Sequence, residues 1–347
     1  MFNTTSDSFV SAALWAGAIS LLLTAIVGIS IIALRVALRR AERLEKATVE
    51  KWRPILNATL IGEPPDTLPS LRKNEELDFL KLLVYFQTSL RGEARVALND
   101  LGYRLDCDRI ATHLLDRGND AEQLLGILAL GHMRVESALP SLRQHANSSD
   151  AAISSHAFWA ILQTDASLAP ALVPEFFVRD DLPLSQLANI LKEADFDCTA
   201  ILSESLGKVD AQHIPRLLRL AESLRIQLPD TQIRALMNRD EINIIIAALR
   251  LASSPLLLLQ ARKFLHSDNW RVRLHAVRAI GKIGDRSDIE RLKPLLQDKE
   301  WWVRYRTAET LVDMPFVSRD DLGALVSAPD RFARDIVTQV LAERGMQ

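Results

Sequence analysis

The clearest pattern along the chain is an apolar stripe at helical spacing between residues 269 and 284. Val272, Ala276, Ala279, Ile280 and Ile283 stand at i, i+4, i+7, i+8 and i+11, with arginines and other polar residues between them. Positions at these intervals fall on one side of an α-helix. The stripe therefore predicts an amphipathic helix whose small central residues would let a neighbouring helix approach closely.

The same pattern recurs further along the chain. The segment NWRVRLHAVRAIG (269–281) is matched by EWWVRYRTAETLV (300–312), so that Arg273 aligns with Arg304. Fainter copies, at the same interval or aligned with the copies above, begin at Glu122, Ile153 and Glu241. Self-similarity at a fixed period of about 20–50 residues is typical of a protein built from stacked helical units. The interval therefore predicts a repeat array.

A second, shorter apolar pattern, SDIERLKPLLQD (287–298), separates the two best copies. Its inward positions are predicted to be Ile289, Leu292, Leu295 and Leu296. Asp268 and Asp298 come just before the longer helices, where capping acids are expected. A single helix pair cannot cover its own apolar face, so neighbouring pairs must stack. We therefore predict an all-α fold, with an α-solenoid of stacked antiparallel helix pairs after the N-terminal region.

An uncharged run from Ser8 to Leu34 occupies the N-terminal region. As a helix it would be roughly 40 Å long, whereas the hydrocarbon core of a bilayer is about 30 Å thick. A cleaved signal peptide would carry basic residues before a shorter apolar run. Here no Lys or Arg precedes the run and arginines follow it directly. The pattern predicts a single transmembrane helix.

The flanking charges predict how this helix is oriented. Only Asp7 precedes it, whereas residues 35–53 hold seven Lys or Arg against three Glu. Positive residues remain on the cytoplasmic side of a membrane. The residues expected to determine the topology are Arg35, Arg39, Arg40 and Arg43. We expect a single-pass protein of the cell (inner) membrane, with its N-terminus outside and its C-terminal domain in the cytoplasm.

These patterns divide the chain into five segments. They are a short non-cytoplasmic tail (1–8), a transmembrane helix (9–34), a basic juxtamembrane helix (35–62), a linker (63–70) and the repeat domain (71–347). The linker is predicted from the sequence GEPPDTLPSL, because glycine and proline interrupt helices.

Composition agrees with a helical protein. Of 347 residues, 48% are hydrophobic but only 6% aromatic, and there are 13 glycines. Cys107 and Cys198 show neither a disulfide framework nor a zinc-binding spacing, which is typical of a reducing compartment. The net charge of −2 excludes a strongly basic nucleic-acid-binding coat.

With these repeats the chain resembles the HEAT-repeat family, in particular its short bacterial form, which is similar to the repeats of phycobilin lyases. The sets Asp268–Val272–Arg273–Ala276–Ile280 and Asp298–Val303–Arg304–Leu311 carry the resemblance. It extends over about 120–345 and weakens over about 195–235. The resemblance implies a structural role for the repeat residues, with Asp and Arg linking the turns of neighbouring repeats. These residues are Asp268, Arg273, Ala276, Asp298 and Arg304.

HEAT-type arrays include enzymes, so catalytic motifs need to be considered. The iron-dependent hydroxylase of this class uses His-Glu pairs as metal ligands, and none of the seven histidines here is followed by Glu. No phosphate-binding loop, nucleophile elbow or HExxH motif occurs. We expect no catalytic residue, no cofactor and no metal. The alternative is a HEAT-type enzyme, lyase-like or hydroxylase-like, acting on a protein or tetrapyrrole substrate.

Charge and aromatic residues suggest a candidate binding surface. Between Arg262 and Arg306, twelve Lys or Arg stand against six acidic residues, and aromatic residues lie among them. Trp, Tyr and Arg are the residue types that dominate protein–protein binding energy. The candidate patch consists of Trp270, Arg271, Arg278, Lys282, Trp301, Trp302, Tyr305 and Arg306. The alternative left open is a solvated helix surface with its aromatic residues packed between repeats.

Together these observations predict a non-enzymatic scaffold or adaptor, held in the lipid bilayer through residues 9–34, that binds a membrane-associated protein partner. A membrane tether and an acidic remainder of the chain argue against nucleic acid, and no small-molecule substrate is expected. The resemblance to membrane-anchored bacterial HEAT proteins further implies a place in envelope polysaccharide synthesis or export machinery.

Overall fold

Helices account for all regular secondary structure in the part of the chain that the structure describes. The computed structural model describes residues 4–63, 65, 67–90, 92–194 and 196–345, with side chains at 15, 17 and from 19 onward within those ranges. No strand occurs among these residues. The predicted all-α fold class is confirmed.

The chain divides into two compact units, Met1–Asp165 and Ala166–Gln347. The α-helices of the first unit are α1 (Thr4–Leu60), α2 (Glu76–Ser89), α3 (Glu93–Arg104), α4 (Cys107–Arg117), α5 (Asp120–Met133), α6 (Leu139–Ala146) and α7 (Ala151–Thr164). Those of the second unit are α8 (Ala169–Phe177), α9 (Leu184–Glu193), α10 (Thr199–Leu206), α11 (Ile214–Leu224), α12 (Asp230–Met237), α13 (Ile242–Leu251), α14 (Leu258–Lys263), α15 (Trp270–Ile283), α16 (Asp288–Leu292), α17 (Trp301–Asp313), α18 (Arg319–Val326) and α19 (Arg331–Glu343).

The predicted transmembrane and juxtamembrane segments form one helix, α1, which is 57 residues long and continues through Pro54. From 19 to 43 every residue of α1 except Gly28 is exposed. By length and composition, α1 is the one described helix that could cross a membrane. The four arginines expected to determine the topology lie on this exposed stretch.

The C-terminal end of α1 belongs to the core of the first unit. It packs against α2 and α3, and Trp52 is fully buried with its ring 4.6 Å from that of Phe79. The neighbouring Lys51 Nζ donates to a carboxylate oxygen of Glu75 at 2.7 Å. The last part of the predicted juxtamembrane helix is therefore a packed element, because its apolar residues are covered by α2 and α3.

The repeat pattern of the first unit produces neighbouring helices. The copies that begin at Glu122 and Ile153 form α5 and α7, which pack against each other, and α5 also packs against α2. The helices α5 and α7 come very close where they cross, because a Cβ added to Gly131 would lie 2.9 Å from the backbone Cα of Ala160. Only glycine fits here without displacement of a backbone.

In the second unit the longer helices form a continuous layer. The helices α9, α11, α13, α15, α17 and α19 each pack against the next in that order. The stripe residues Val272, Ala276, Ala279, Ile280 and Ile283 are buried, as expected. The shorter helices α10, α12, α14, α16 and α18 alternate with the longer ones along the chain, several of them extended by short 3-10 turns.

The described residues 196–235, where the sequence pattern fades, also form paired helices. Its helices α10 and α11 pack together, and α11 packs between α9 and α13. Leu217, Leu218 and Leu220 of α11 are buried. The repeat architecture persists here because apolar positions at helical spacing are kept even though the Asp and Arg positions of the repeat are not.

One ion pair links two turns of the second unit. Arg273 makes two hydrogen bonds of 2.7 Å to the carboxylate of Asp298, and both side chains are nearly buried, at 9% and 6% exposure. Burial alone would raise the pKa of Asp298, but bonds from Arg273 and from the Glu300 N–H outweigh it and lower that pKa. The pair thus joins the turn before α15 to the turn before α17.

The same arginine position recurs in three successive repeats. Arg273, Arg304 and Arg334 each donate from Nη1 to the two carbonyl oxygens located six and five residues earlier in the chain. The Asp268 carbonyl takes part, whereas its carboxylate does not cap α15; Asn269 does so by accepting from the Arg271 N–H. Similarly, Glu300 rather than Asp298 occupies the N-cap position of α17. The expected capping role of the two aspartates is therefore wrong.

Candidate protein-binding surface

Three aromatic residues of α17 form an exposed cluster. The rings of Trp301 and Tyr305 are stacked at a centroid distance of 5.0 Å, and Trp302 meets Trp301 edge-on at 4.8 Å. Trp301 is 40% exposed and Trp302 57%. We call these three residues the aromatic cluster. Exposing this much apolar surface to water is unfavourable, so a partner that covered the two tryptophans would bind with a gain in free energy.

The aromatic cluster is held in place from α19. The Tyr305 hydroxyl donates to a carboxylate oxygen of Glu343 at 2.7 Å, and this bond, with burial and nearby acids, raises the pKa of Tyr305. The guanidinium of Arg304 lies over the ring of Phe332 on α19 at 5.2 Å, and Phe332 is itself 62% exposed. Contacts with residues of α19 therefore fix the position of the aromatic cluster on α17.

The exposed residues follow the repeat. Arg271, Trp302 and Phe332 each stand two residues before one of the three recurring arginines, at the start of α15, α17 and α19. All three are exposed. Trp270, predicted beside them, is half-buried with the Arg271 guanidinium 5.5 Å from its ring. Successive repeats thus present a row of large side chains on one edge of the second unit.

The predicted basic residues separate into a second group, further along the same helices. His275, Arg278 and Lys282 of α15 gather with Arg250 of α13 and Arg306 of α17. We call these five residues the cationic face. The Lys282 Nζ donates to the backbone oxygen of Arg250 at 3.1 Å, which ties α15 to α13.

Burial and mutual repulsion mark this cationic face. Burial, together with Arg250, Arg278 and Arg306, lowers the pKa of His275 to about 4, so its imidazole is neutral near pH 7. Burial and the nearby Arg278 also lower the pKa of Lys282. Burial and neighbouring positive charges both disfavour the protonated forms of His275 and Lys282, which is why their pKa values are lowered.

Acidic residues that lie outside the segment 262–306 pair with Arg306 of the predicted patch and with two further arginines. Arg306 pairs with Glu309 at 2.7 Å, and Arg344 pairs with Asp313 at the same distance. Glu222 pairs with Arg250 at 2.5 Å. The count over 262–306 missed Glu309 and Asp313 because they lie further along α17, and it missed Glu222 because that residue comes from α11. It also missed Phe332, which the repeat interval, counted from Trp301, would have located.

The described residues contain no group of three or more His, Cys, Asp or Glu arranged to hold a metal ion. Both cysteines are buried, and burial raises the pKa of Cys107 to about 12 and of Cys198 to about 11. A cavity of about 550 Å³ in the first unit is lined by leucines, by His113 and by charged residues of both signs such as Glu76 and Arg109. Neither thiol is an activated nucleophile in these surroundings.

Comparison with known proteins supports the repeat assignment. Residues 255–344, which span α14 to α19, match the HEAT repeats family. No curated protein matches the chain. Among solved structures, the crystal structure of an engineered protein is similar to this chain at 16% identity and a TM-score of 0.35. The match covers 87% of this chain and 93% of that chain. The family match, the packing of neighbouring helices and the recurring arginine contacts together identify residues 255–344 as HEAT repeats.

Proposed function

We propose that the protein is a membrane-anchored scaffold that binds a partner protein on the long-helix layer of its second unit, at the aromatic cluster. The observation that carries this proposal is the exposure of Trp301 and Trp302 beside Phe332, in a row that follows the repeat. Exposed tryptophans next to arginines are the usual anchors of a protein interface. HEAT-type arrays offer such extended surfaces because each repeat adds a strip of side chains.

The anchor in this proposal is α1. Its apolar part is long enough to cross a bilayer, and the arginines that follow it favour retention of that end in the cytoplasm. The repeat domain would then lie in the cytoplasm, with the N-terminus outside. Because the end of α1 is also part of the first unit's core, that unit would be held firmly to the membrane helix.

The partner is proposed to be a membrane-associated protein, and the chain to act without catalysis. An anchored array meets membrane-bound partners at high effective concentration, since both are confined to one surface. Resemblance alone supports a place in envelope polysaccharide synthesis or export machinery. Neither nucleic acid nor a small-molecule substrate is proposed.

Photo-crosslinking in intact membranes tests this proposal. A photoreactive amino acid at Trp302 or Phe332 should give a discrete crosslinked protein product. The matched control is Leu259, a 71% exposed apolar residue of α14, one of the shorter helices. We expect no equivalent product from position 259. Equal products at all three positions, or none at 302 and 332, would contradict a binding surface at the aromatic cluster.

A substitution provides the second arm of the test. Trp302→Ala should reduce recovery of the partner from detergent-solubilised membranes, whereas Leu259→Ala should leave it unchanged. The two side chains are similarly exposed, so neither change should alter the folding of the second unit. Equal melting temperatures of the two variants would verify that the loss arises at the surface.

A further inference from the structure

The cationic face is formed by three neighbouring long helices of the second unit. Arg250 lies on α13, His275, Arg278 and Lys282 on α15, and Arg306 on α17, and these helices pack side by side. Adjacent packed helices are about 8–10 Å apart. The face therefore presents positive groups at intervals of that size along the direction in which the repeats stack.

Positive charge on the cationic face exceeds the negative charge that the fold supplies. Arg250 is paired with Glu222 and Arg306 with Glu309. Among the described residues, no ion pair to a carboxylate is seen for Arg278 or Lys282. Lys282 lies next to Arg278 and donates to a backbone carbonyl of α13. The acid near it, Glu222, is already paired with Arg250. Such an arrangement is repulsive by itself and is relieved when an anion binds.

Three buried polar atoms also lack hydrogen-bond partners in this region. They are His275 Nδ1, Arg306 Nε and Glu309 Oε2. Buried polar groups are normally satisfied, and exceptions call for an unseen water, ion or ligand. Two of the three belong to the Arg306–Glu309 ion pair, so the unmatched charges of Arg278 and Lys282 are what mark the face as a site for an acidic group.

We propose that the cationic face binds an extended acidic segment of the partner protein, lying across α13, α15 and α17 with a carboxylate at about every third residue. A segment in the extended polyproline-II conformation advances about 3.1 Å per residue with three residues per turn. Every third side chain then points the same way, and three residues match the spacing between neighbouring helices. The proposal rests on the proposed scaffold function and specifies the chemistry of its partner. The aromatic cluster, one to two turns away on α17, would take apolar residues of the same partner.

Fluorescence anisotropy with the full-length protein in nanodiscs of zwitterionic lipid tests this proposal. The probe is a labelled 13-residue peptide with Asp at every third position and small neutral residues between. Its matched control has the same composition with the Asp residues adjacent to one another. We expect the spaced peptide to bind more tightly, and its affinity to fall as salt rises from about 50 mM to about 300 mM.

Two charge reversals locate the site. Arg278→Glu should weaken binding of the spaced peptide at least about tenfold, because it places an acid where a carboxylate of the peptide should lie. Lys263→Glu makes the same change of net charge on α14, at an exposed position of the shorter-helix layer. We expect Lys263→Glu to change the affinity less than about twofold, since a distant charge is screened.

Several results would overturn the proposal. They are equal losses for Arg278→Glu and Lys263→Glu, equal affinities for the spaced and adjacent peptides, or binding of a single-stranded oligonucleotide as tight as that of the spaced peptide. If the peptide does not bind while crosslinking at Trp302 still captures a partner, the acidic segment is wrong and the scaffold function stands. If the peptide binds and no partner is captured at Trp302, the proposed binding surface at the aromatic cluster is wrong and the acidic segment stands.

Discussion

At the scale of single residues, the most informative feature is the buried pair Arg273–Asp298. Its arginine is shared between a carboxylate and two backbone carbonyls of the preceding turn. In the next repeat Arg304 keeps the carbonyl contacts, but Ala328 takes the place of Asp298, six residues before the following arginine. The Arg304 guanidinium lies over Phe332 instead. The equivalent arginines of two adjacent repeats therefore stabilise the fold through different contacts.

This difference predicts unequal effects of the same substitution. Arg273→Ala should lower the free energy of unfolding by about 3–5 kcal/mol, because it leaves the carboxylate of Asp298 buried without its partner. Arg304→Ala removes only bonds to carbonyls and a contact with a partly exposed ring, and should cost about 1–2 kcal/mol. Urea unfolding of the two variants measures both values. A larger loss for Arg304→Ala would show that the ion pair is not the main link.

His132 predicts an effect of acid on stability. It is buried on α5 and meets Trp159 edge-on, with the two ring centroids 4.8 Å apart. Burial, aided by Arg95, lowers the pKa of His132 from 6.5 to about 4. As the pH falls below about 6.5, His132 is protonated in the unfolded chain but stays neutral in the folded chain until the pH approaches 4. His132 therefore costs no stability above that pH and up to roughly 3 kcal/mol near pH 4.

The measurement compares unfolding at pH 7.5 and pH 5 in two variants. His132→Phe keeps a ring against Trp159 and should reduce the difference in unfolding free energy between the two pH values. His113→Phe, on the exposed surface of α4, should leave that difference as in the unmodified protein. An unchanged difference in His132→Phe would mean that His132 is hydrated in solution.

At the scale of helices, close crossings recur at one position of the repeat. Gly131 of α5 and Gly281 of α15 occupy equivalent places, five residues after the inward residues Gly126 and Ala276. A Cβ on Gly131 would meet backbone of α7, whereas one on Gly281 would meet the Thr310 side chain of α17 at 2.8 Å. The small residue lets each long helix lie close to the next.

Three alanine substitutions test this account. Gly131→Ala should destabilise by about 1–3 kcal/mol through overpacking against a backbone that cannot move aside. Gly281→Ala should cost less, because a side chain can yield. Gly323→Ala in α18, where nothing lies within 4 Å of the added carbon, should be neutral or stabilise by up to about 1 kcal/mol. Thermal unfolding gives the order, and a stabilising Gly131→Ala would contradict the close crossing.

At the scale of the whole molecule, α1 connects the proposed membrane span to the core of the first unit. Its arginines follow the apolar run within one to three turns, on an exposed part of the helix. They therefore stand where the positive-inside tendency acts most strongly.

The expected topology follows from these arginines. A reporter fused after Gln347 should be active only in the cytoplasm, and one placed before Phe9 only outside. Replacing Arg35, Arg39, Arg40 and Arg43 by Glu should weaken or invert this arrangement. As a control, Arg291→Glu, far along the chain in α16, should leave both reporters unchanged. Reporters with the opposite pattern in the unmodified protein would refute the orientation.

Much of the fold was predictable from the sequence because it depends on local periodicity. An apolar stripe at helical spacing determines which face of a helix is buried, and the fixed interval between copies determines that such helices stack. Val272, Ala276 and Ile280 are buried for this reason. The uncharged run before Arg35 likewise makes a long apolar helix from composition alone.

The tertiary structure decided what each polar residue does, because that depends on neighbours from other repeats. Only the stacked helices bring Glu222 of α11 to Arg250 of α13, whereas Arg306 and Glu309 stand three residues apart on α17. A count of basic residues along one segment could therefore not show that Arg250 is paired while Arg278 and Lys282 are not. Folding likewise determined that Asp298 pairs with Arg273 instead of capping α17, and that Trp52 joins the first unit's core. Periodicity along the chain specifies which faces are buried, whereas charge pairing depends on distances that exist only after the repeats have stacked.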